Sequence, residues 1–318
     1  MPAEVKLFSG TNTRYLAADI ASQYGKELGN VTINRFSDGE FQPSFDESVR
    51  GSRVFLIQST FSPTDNLMEL LLMIDAAKRA SSAYITVVIP YFGFARQDRK
   101  DKPRVSIGSK LIADLLSKAG ADRIMTMDLH AAQIQGFFDI PVDHLDSSVL
   151  FVPYVTNLPL PNLIIGAPDI GSSHRAREFA KNFNVDIIIC DKQRKRANEI
   201  ESMTVIGDVE GKDIVLVDDM VDTAGTITKA AEILIDKGAT SVRAVCTHPI
   251  LSGKAIEKIQ NSRLTELVVC DTIPIKIEIT KKIKIISVAK LFAEAIRNVN
   301  EHGSISTLFK IKKDLQPA

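Results

Sequence analysis

Residues 214–226 read Ile214-Val215-Leu216-Val217-Asp218-Asp219-Met220-Val221-Asp222-Thr223-Ala224-Gly225-Thr226. The opening aliphatic run fits a strand buried on both faces, as parallel sheets require. Two acids end the run, a turn of small and hydroxyl-bearing residues follows, and Ile227, Ala230, Ala231 and Leu234 then recur at helical spacing. A strand feeding a helix in this way indicates an α/β fold. The turn also carries chemistry. Backbone N–H groups where a helix opens, at the positive end of its dipole, cradle phosphate, and Thr223 and Thr226 add hydroxyl donors. Asp218 and Asp219 only accept when ionised, which suits neighbouring hydroxyls such as a ribose 2′,3′-diol. A sugar phosphate would meet both ends. The plain alternative is a capped loop whose acids satisfy helix N–H groups. The acid pair at the carboxyl end of a buried strand, where open α/β sheets bind ligands, weighs against it.

Outward from this stretch, apolar runs recur at 54–58, 85–89, 124–129, 163–165, 187–190, 242–247, 267–270 and 283–288, with amphipathic segments such as Leu67-Leu70-Leu71-Ile74 between most of them. The alternation predicts parallel sheets flanked by helices. Gly120 and Gly238 stand where helices should stop. Each precedes an apolar run that ends in a polar pair with a histidine, Asp128-Leu129-His130 and Thr247-His248, so two similar halves are expected. The proline-rich stretch Pro153 to Pro161 places the divide near 145–160.

The chain has 318 residues, 45% hydrophobic, 25% charged and 6% aromatic, the composition of an ordinary globular protein with room for about two domains. Lys plus Arg and Asp plus Glu both number 39, so net charge draws it to neither nucleic acid nor an anionic membrane. Three cysteines, Cys190, Cys246 and Cys270, sit in or after apolar runs, which argues against a disulfide framework and for a reducing cytoplasm. No apolar run approaches the ~18 residues of a membrane helix, and the start MPAEVKLFSG lacks the pattern of a secretory signal.

Neither a Gly-x-x-x-x-Gly-Lys-Ser/Thr loop nor a Gly-x-Gly-x-x-Gly occurs, so a nucleotide would be held by other means. Phe36 offers a face for adenine, with Asp38 and Glu40 to accept from its amine, although Phe-Ser-Asp-Gly-Glu alone is also an ordinary turn. Arg96 begins a basic segment (Arg99, Lys100, Lys102, Arg104) after an apolar run, where a phosphate clamp or a solvated face would sit. Asp128 and His130, two apart at a strand end, are expected on one side. Lys192 and Arg194 alternate in an extended stretch after Cys190 and can point the same way, a point charge and a forked donor suited to phosphoryl oxygens, or simply a basic surface hairpin.

Residues 214–226 resemble the phosphoribosyl-diphosphate loop of the type I phosphoribosyltransferase fold. Together with Arg35-Phe36-Ser37-Asp38-Gly39-Glu40, Ala95-Arg96-Gln97-Asp98-Arg99-Lys100, 127–138 (Met127 to Phe138) and Asp191-Lys192-Gln193-Arg194, the chain is similar from about residue 4 to residue 310 to the ribose-phosphate diphosphokinase family. The resemblance implies an α/β protein of two similar domains, each a mainly parallel sheet flanked by helices, type I phosphoribosyltransferase-like. It places a nucleotide-side domain at 1–147, a ribose 5-phosphate domain at 148–288, and a C-terminal helix and tail at 289–318 packing back on the first.

The implied reaction moves the diphosphate of MgATP to the C1 hydroxyl of ribose 5-phosphate, giving 5-phosphoribosyl 1-diphosphate and AMP for nucleotide, histidine and tryptophan synthesis. By resemblance, Lys192 and Arg194 are catalytic. Phe36, Asp38, Gly39, Glu40, Arg96 and Gln97 bind ATP, the adenine residues coming from a neighbouring subunit. Arg194, Asp218, Asp219, Asp222, Thr223, Ala224, Gly225 and Thr226 bind ribose 5-phosphate, and His130 and Asp169 contact Mg2+. Ser48, Arg50, Arg104, Ser304 and Ser306 match a regulatory site for phosphate and ADP. A cytoplasmic homohexamer is implied, with no nucleic-acid or membrane partner.

Two positions depart from the family pattern. Ser172 follows Gly171 where a second glycine is usual, which brings the local backbone into question because glycine tolerates positive φ and serine does not. Pro249 stands where glycine is general and is expected to alter only a loop. The rival functions are a phosphoribosyltransferase, against which the length and the N-terminal nucleotide residues weigh, and a non-catalytic regulatory homologue, against which Lys192, Arg194 and His130 weigh.

Overall fold

The computed structural model describes residues 3–196, 199–275 and 281–310, and over 192–196 and 199–202 the backbone course alone. The chain divides into two compact units. The first comprises Met1–Asp146, Thr272–Pro274 and Val288–Phe309, and the second Ser147–Asp271, Ile275–Ser287 and Lys310–Ala318.

In the first unit, β1 (Val5–Ser9), β4 (Arg53–Ile57), β5 (Tyr84–Ile89), β6 (Arg123–Met127) and β7 (Val142–Leu145) form a sheet in that order, all parallel. Between them run α1 (Arg14–Tyr24), α2 (Asp65–Arg79) and α3 (Gly108–Ala119), while β2 (Val31–Arg35) and β3 (Phe41–Phe45) make a separate antiparallel ribbon. Val54, Leu56, Leu70, Ile74, Val87 and Leu116 are in its core. Burying an aliphatic side chain of this kind is worth about 1.5–3 kcal/mol.

The second unit contains α4 (Ser148–Thr156), β8 (Leu163–Ala167), α5 (Ser173–Ala180), β9 (Ile187–Arg196), β10 (Glu199–Ile206), β11 (Asp213–Val221), α6 (Gly225–Asp236), β12 (Ser241–Pro249), α7 (Ala255–Asn261), β13 (Glu266–Cys270) and β14 (Ile283–Ile286). Its sheet runs β10-β9-β8-β11-β12-β13-β14, with only β10 antiparallel to its neighbour. From β8 the chain builds outward in one direction through β9, then returns to build through β11 in the other. The β8/β11 junction is therefore a topological switch point, where the carboxyl ends of strands leave a crevice. Ile214, Val215, Leu216 and Val217 are all at most 4% exposed, the two-sided burial expected of their unbroken apolar run. Glycine at 166 leaves room for the Leu216 side chain of β11, because a Cβ there would come within 2.6 Å of Leu216 Cδ2.

The C-terminal helix α8 (Ala289–Asn300) belongs to the first unit and packs on α1. It buries Leu291, Phe292, Ala295 and Ile296, and the Arg297 guanidinium donates to the carbonyls of Gln23 (3.3 Å) and Tyr24 (3.1 Å). Residues 311–318 of the expected tail lie outside the described residues.

Several expectations change. The stretch Pro153–Pro161 is no linker, since Pro153 lies inside α4; the first crossing between the units falls between Asp146 and Ser147, inside the expected 145–160. Strand β14 ends at Ile286 rather than Val288. Pro249 is the buried last residue of β12, opposite Val221, and not part of a loop. Among the described residues, no helix is long and apolar enough to cross a membrane.

Candidate active site

At the carboxyl end of β11, Asp218 is half-buried and Asp219 is 5% exposed. The Asp219 backbone N–H donates to Asp218 Oδ1 at 3.0 Å. Burial, then the Asp219 carboxylate, then the charge of Asp169 push the Asp218 carboxyl well above the usual carboxylate range. Three acids thus share one electrostatic environment, Asp169 after β8 and the Asp218–Asp219 pair among the last residues of β11. The strand order of the switch point accounts for their meeting. The same environment reaches two thiols. Cys190 is pushed up to about 12 by burial and by Asp169, and Cys246 is raised by burial, Asp218 and Asp219. Both therefore pack as small apolar groups.

The chain then enters the turn Asp222–Ala224. Ala224 precedes α6 in the left-handed region at φ 59°, and no side chain caps the helix start. An alanine in that region costs about 1–2 kcal/mol of backbone strain, which is held here by Thr228, whose N–H (3.1 Å) and hydroxyl (2.9 Å) both donate to the Ala224 carbonyl. Asp222, Thr223, Gly225 and Thr226 are half-buried around it, so the turn presents a helix opening to solvent at the switch point.

Asp169 caps the short turn into α5. Its Oδ1 accepts from the Ser172 N–H at 3.0 Å, and Ser172 Oγ accepts from the Asp169 N–H at 3.4 Å. Ser172 has φ −86°, so this position makes no demand for glycine and the conformational question raised by the serine is answered. Lys192 and Arg194 lie on β9, which pairs Ile189 with Ala167 at the end of β8 and continues past it as a hairpin with β10. Their backbones thus run beyond the carboxyl end of β8, the end from which Asp169 emerges.

In the first unit, Phe36, Asp38, Gly39 and Glu40 form the tip of the β2–β3 ribbon. The Phe36 N–H donates to the Glu40 carbonyl at 2.8 Å, the Glu40 N–H donates to Asp38 Oδ1 at 3.1 Å, and Gly39 takes the positive φ of 97° that the turn requires. Phe36 is 52% exposed, so its ring face is available to a ligand. Arg96 and Gln97 lie in the loop after β5. Arg96 is exposed, and Gln97 is folded against the start of α3, its carbonyl accepting from the Ser109 hydroxyl at 2.9 Å. Gln133 Nε2 donates to Asp98 Oδ2 at 3.0 Å, tying this loop to the one that carries His130.

The pairing expected of Asp128 and His130 does not hold. Strand β6 stops at Met127 and Asp128 takes φ 38°, which ends the alternation. Asp128 is 3% exposed while His130 faces solvent. Ser48 and Arg50 line a cavity of about 340 Å³ with Ser44, Glu47 and Ala76. Arg104, Ser304 and Ser306 are not among its lining residues; the two serine hydroxyls lie 2.7 Å apart after α8. Among the described residues, no group of three or more His, Cys, Asp or Glu side chains is arranged to hold a metal ion.

One participant escaped the sequence. The segment 251–258, after β12, binds the carbonyl side of the turn from Val221 to Thr223 through Leu251, Ser252 and Lys258. Backbone donors carry no residue signature, and a lysine in Lys254-Ala255-Ile256-Glu257-Lys258 reads as a solvated helix face.

A family profile described as the N-terminal domain of ribose phosphate pyrophosphokinase matches residues 5–120, and one described as the phosphoribosyl synthetase-associated domain matches 192–310. Ribose-phosphate pyrophosphokinase of Porphyromonas gingivalis is 59% identical over 304 residues, covering 95% of this chain and 97% of that protein. The protein of the same name from Wolinella succinogenes is 57% identical over 305 residues, covering 96% and 98%. The crystal structure of phosphoribosylpyrophosphate synthetase from Mycobacterium smegmatis superposes with a TM-score of 0.89 at 38% identity, covering 94% of this chain and all of that one.

Proposed function

Since the chain belongs to the ribose-phosphate pyrophosphokinase family and makes 5-phosphoribosyl 1-diphosphate from ATP and ribose 5-phosphate, we propose how its residues divide that work. The observation that carries the proposal is the acid pair of β11 leading into the uncapped, left-handed turn before α6, at the switch point of the second sheet. Asp218 and Asp219 accept from the ribose 2′- and 3′-hydroxyls, and the turn from Asp222 through Thr223, Ala224 and Gly225 to Thr226 holds the 5-phosphate. The second unit is thus the ribose 5-phosphate domain and the first the nucleotide domain. Phe36 stacks on adenine while Asp38 and Glu40 accept from its amine, and Arg96 and Gln97 hold the polyphosphate.

Lys192 and Arg194 stabilise the charge that spreads over the transferring group as the C1 oxygen bonds to the β-phosphorus and the bond to AMP breaks. His130 and Asp169 are the residues that would hold Mg2+. The Asp169 carboxylate fits an ion that otherwise keeps waters and phosphate oxygens, as magnesium does, whereas an imidazole is an unusual direct ligand for it, so His130 acts through a phosphate or as one ligand in an oxygen-rich sphere. When bound, the ion supplies neutralisation of charge on the polyphosphate.

We further assign Ser48, Arg50, Arg104, Ser304 and Ser306 to phosphate and ADP control, and place the enzyme in the cytoplasm as a homohexamer in which the exposed Phe36 ribbon serves a neighbouring subunit's site.

Release of AMP from ATP that requires ribose 5-phosphate tests the activity. Replacing Ala224 by valine tests the site, because a β-branched residue at φ 59° forces the turn open. The KM for ribose 5-phosphate should rise by about ten-fold or more, with the KM for ATP unchanged. An equal change in both would place the sugar phosphate elsewhere.

A further inference from the structure

Three successive carbonyls of the turn between β11 and α6 are held by one neighbouring segment. The Leu251 N–H donates to the Val221 carbonyl at 3.0 Å, the Ser252 N–H to the Asp222 carbonyl at 3.0 Å, and Lys258 Nζ, from α7, to the Thr223 carbonyl at 3.3 Å. The segment bends sharply to do so, with Leu251 at φ 50° and Gly253 at φ 58°. In a trans peptide the C=O and the following N–H point in opposite directions. Holding these carbonyls toward α7 therefore turns the N–H groups of the same peptides, those of Thr223 and Ala224 among them, to the other side. Among the described residues no backbone acceptor takes the N–H of Thr223, Ala224 or Gly225. Successive N–H groups converging at a helix opening make an anion nest.

We propose that Lys258 is a positioning residue for ribose 5-phosphate: its ammonium fixes the Thr223–Ala224 peptide so that the Ala224 N–H faces the 5-phosphate. The ammonium also polarises that peptide, which strengthens its N–H as a donor to a dianion. The strained φ of Ala224 gives the arrangement its purpose, since an unbraced peptide next to a left-handed alanine would rotate toward a relaxed conformation. This inference rests on the reading that the turn 222–226 holds the 5-phosphate.

Lys258→Met keeps the length of the side chain and removes its charge and donors; Lys258→Arg restores both. Steady-state kinetics with each substrate varied should show the KM for ribose 5-phosphate raised by about five-fold in Lys258→Met, the worth of one net hydrogen bond, with kcat and the KM for ATP unchanged, and Lys258→Arg close to wild type. Ala224→Val serves as the control for the turn itself. If Ala224→Val raises the KM for ribose 5-phosphate and Lys258→Met does not, the turn stands and the brace is wrong. If neither changes it, the reading of the turn is wrong. A rise in both KM values in Lys258→Met, or no recovery in Lys258→Arg, overturns the positioning role.

Discussion

Asp169 Oδ1 accepts the Ser172 N–H at 3.0 Å while the Asp169 N–H returns a 3.4 Å bond to Ser172 Oγ, so the proposed metal carboxylate is also the cap of the turn into α5. The two roles separate by mutation. Ser172→Ala removes the returning bond and should cost about 1 kcal/mol of stability, with turnover little changed. Asp169→Asn keeps an acceptor oxygen for the cap and loses the charge. Its thermal unfolding should stay near wild type while the Mg2+ concentration for half-maximal rate rises at least several-fold. If Ser172→Ala shifts the Mg2+ requirement as much as Asp169→Asn does, the carboxylate acts through the turn and not on the metal.

Asp218 carries a pH signature. Its carboxyl is raised in the folded chain by burial, Asp219 and Asp169, so the folded state holds a proton that the unfolded state has released. The resulting stability is fully present below the ordinary carboxylate value of about 4 and is lost as pH rises through the raised value. Without ligand, wild-type Tm should fall relative to Asp218→Asn as pH climbs from about 4 toward neutrality; parallel curves for the two proteins would exclude the effect. A ribose diol donating to the carboxylate favours its ionised form, so binding should release protons, read by calorimetry as an enthalpy that depends on the buffer.

Lys192→Ala should lower kcat by about a hundred-fold or more, the loss expected when one positioned donor to developing charge is removed. Both KM values should remain within a few-fold, because the interaction belongs to the transition state. A rise in KM with kcat preserved would make Lys192 a ground-state binder.

Arg50 lines the 340 Å³ cavity beside Ser48, with buried Val49 between them anchoring the turn before β4. Arg50→Ala should weaken activation by inorganic phosphate and inhibition by ADP together, as linkage through one anion site requires, and leave kcat at saturating substrates and phosphate close to wild type. An unchanged phosphate midpoint would remove Arg50 from regulation.

Local regularities of the sequence were enough to find the strands and helices near the site. The apolar run of β11, the helical spacing of α6 and the glycine stop at Gly120, whose φ is 123°, are each set by residues within a few positions of one another. The turn proposed to hold phosphate was legible as a turn for the same reason, since its small and hydroxyl-bearing residues sit where one strand hands over to one helix. What depended on distant contacts was not legible. The two-residue spacing of Asp128 and His130 at a strand end suggested continued alternation, yet the Asp128 N–H binds the Leu145 carbonyl at 3.0 Å as the chain turns, and β6 ends at Met127. Prolines at 153 and 249 read as breaks, yet one lies inside a helix and the other ends a strand.

The sequence by itself determined the α/β class, the acid pair with the turn that follows it, and the family motifs that name the chemistry, because each is written in neighbouring residues. Only the tertiary structure decided that β8 lies beside β11, which brings Asp169 into the field of Asp218, that Thr272–Pro274 return to the first unit, and that Leu251, Ser252 and Lys258 hold the far side of the turn. Strand order and register follow from the burial summed over a whole sheet, a quantity that no local period encodes.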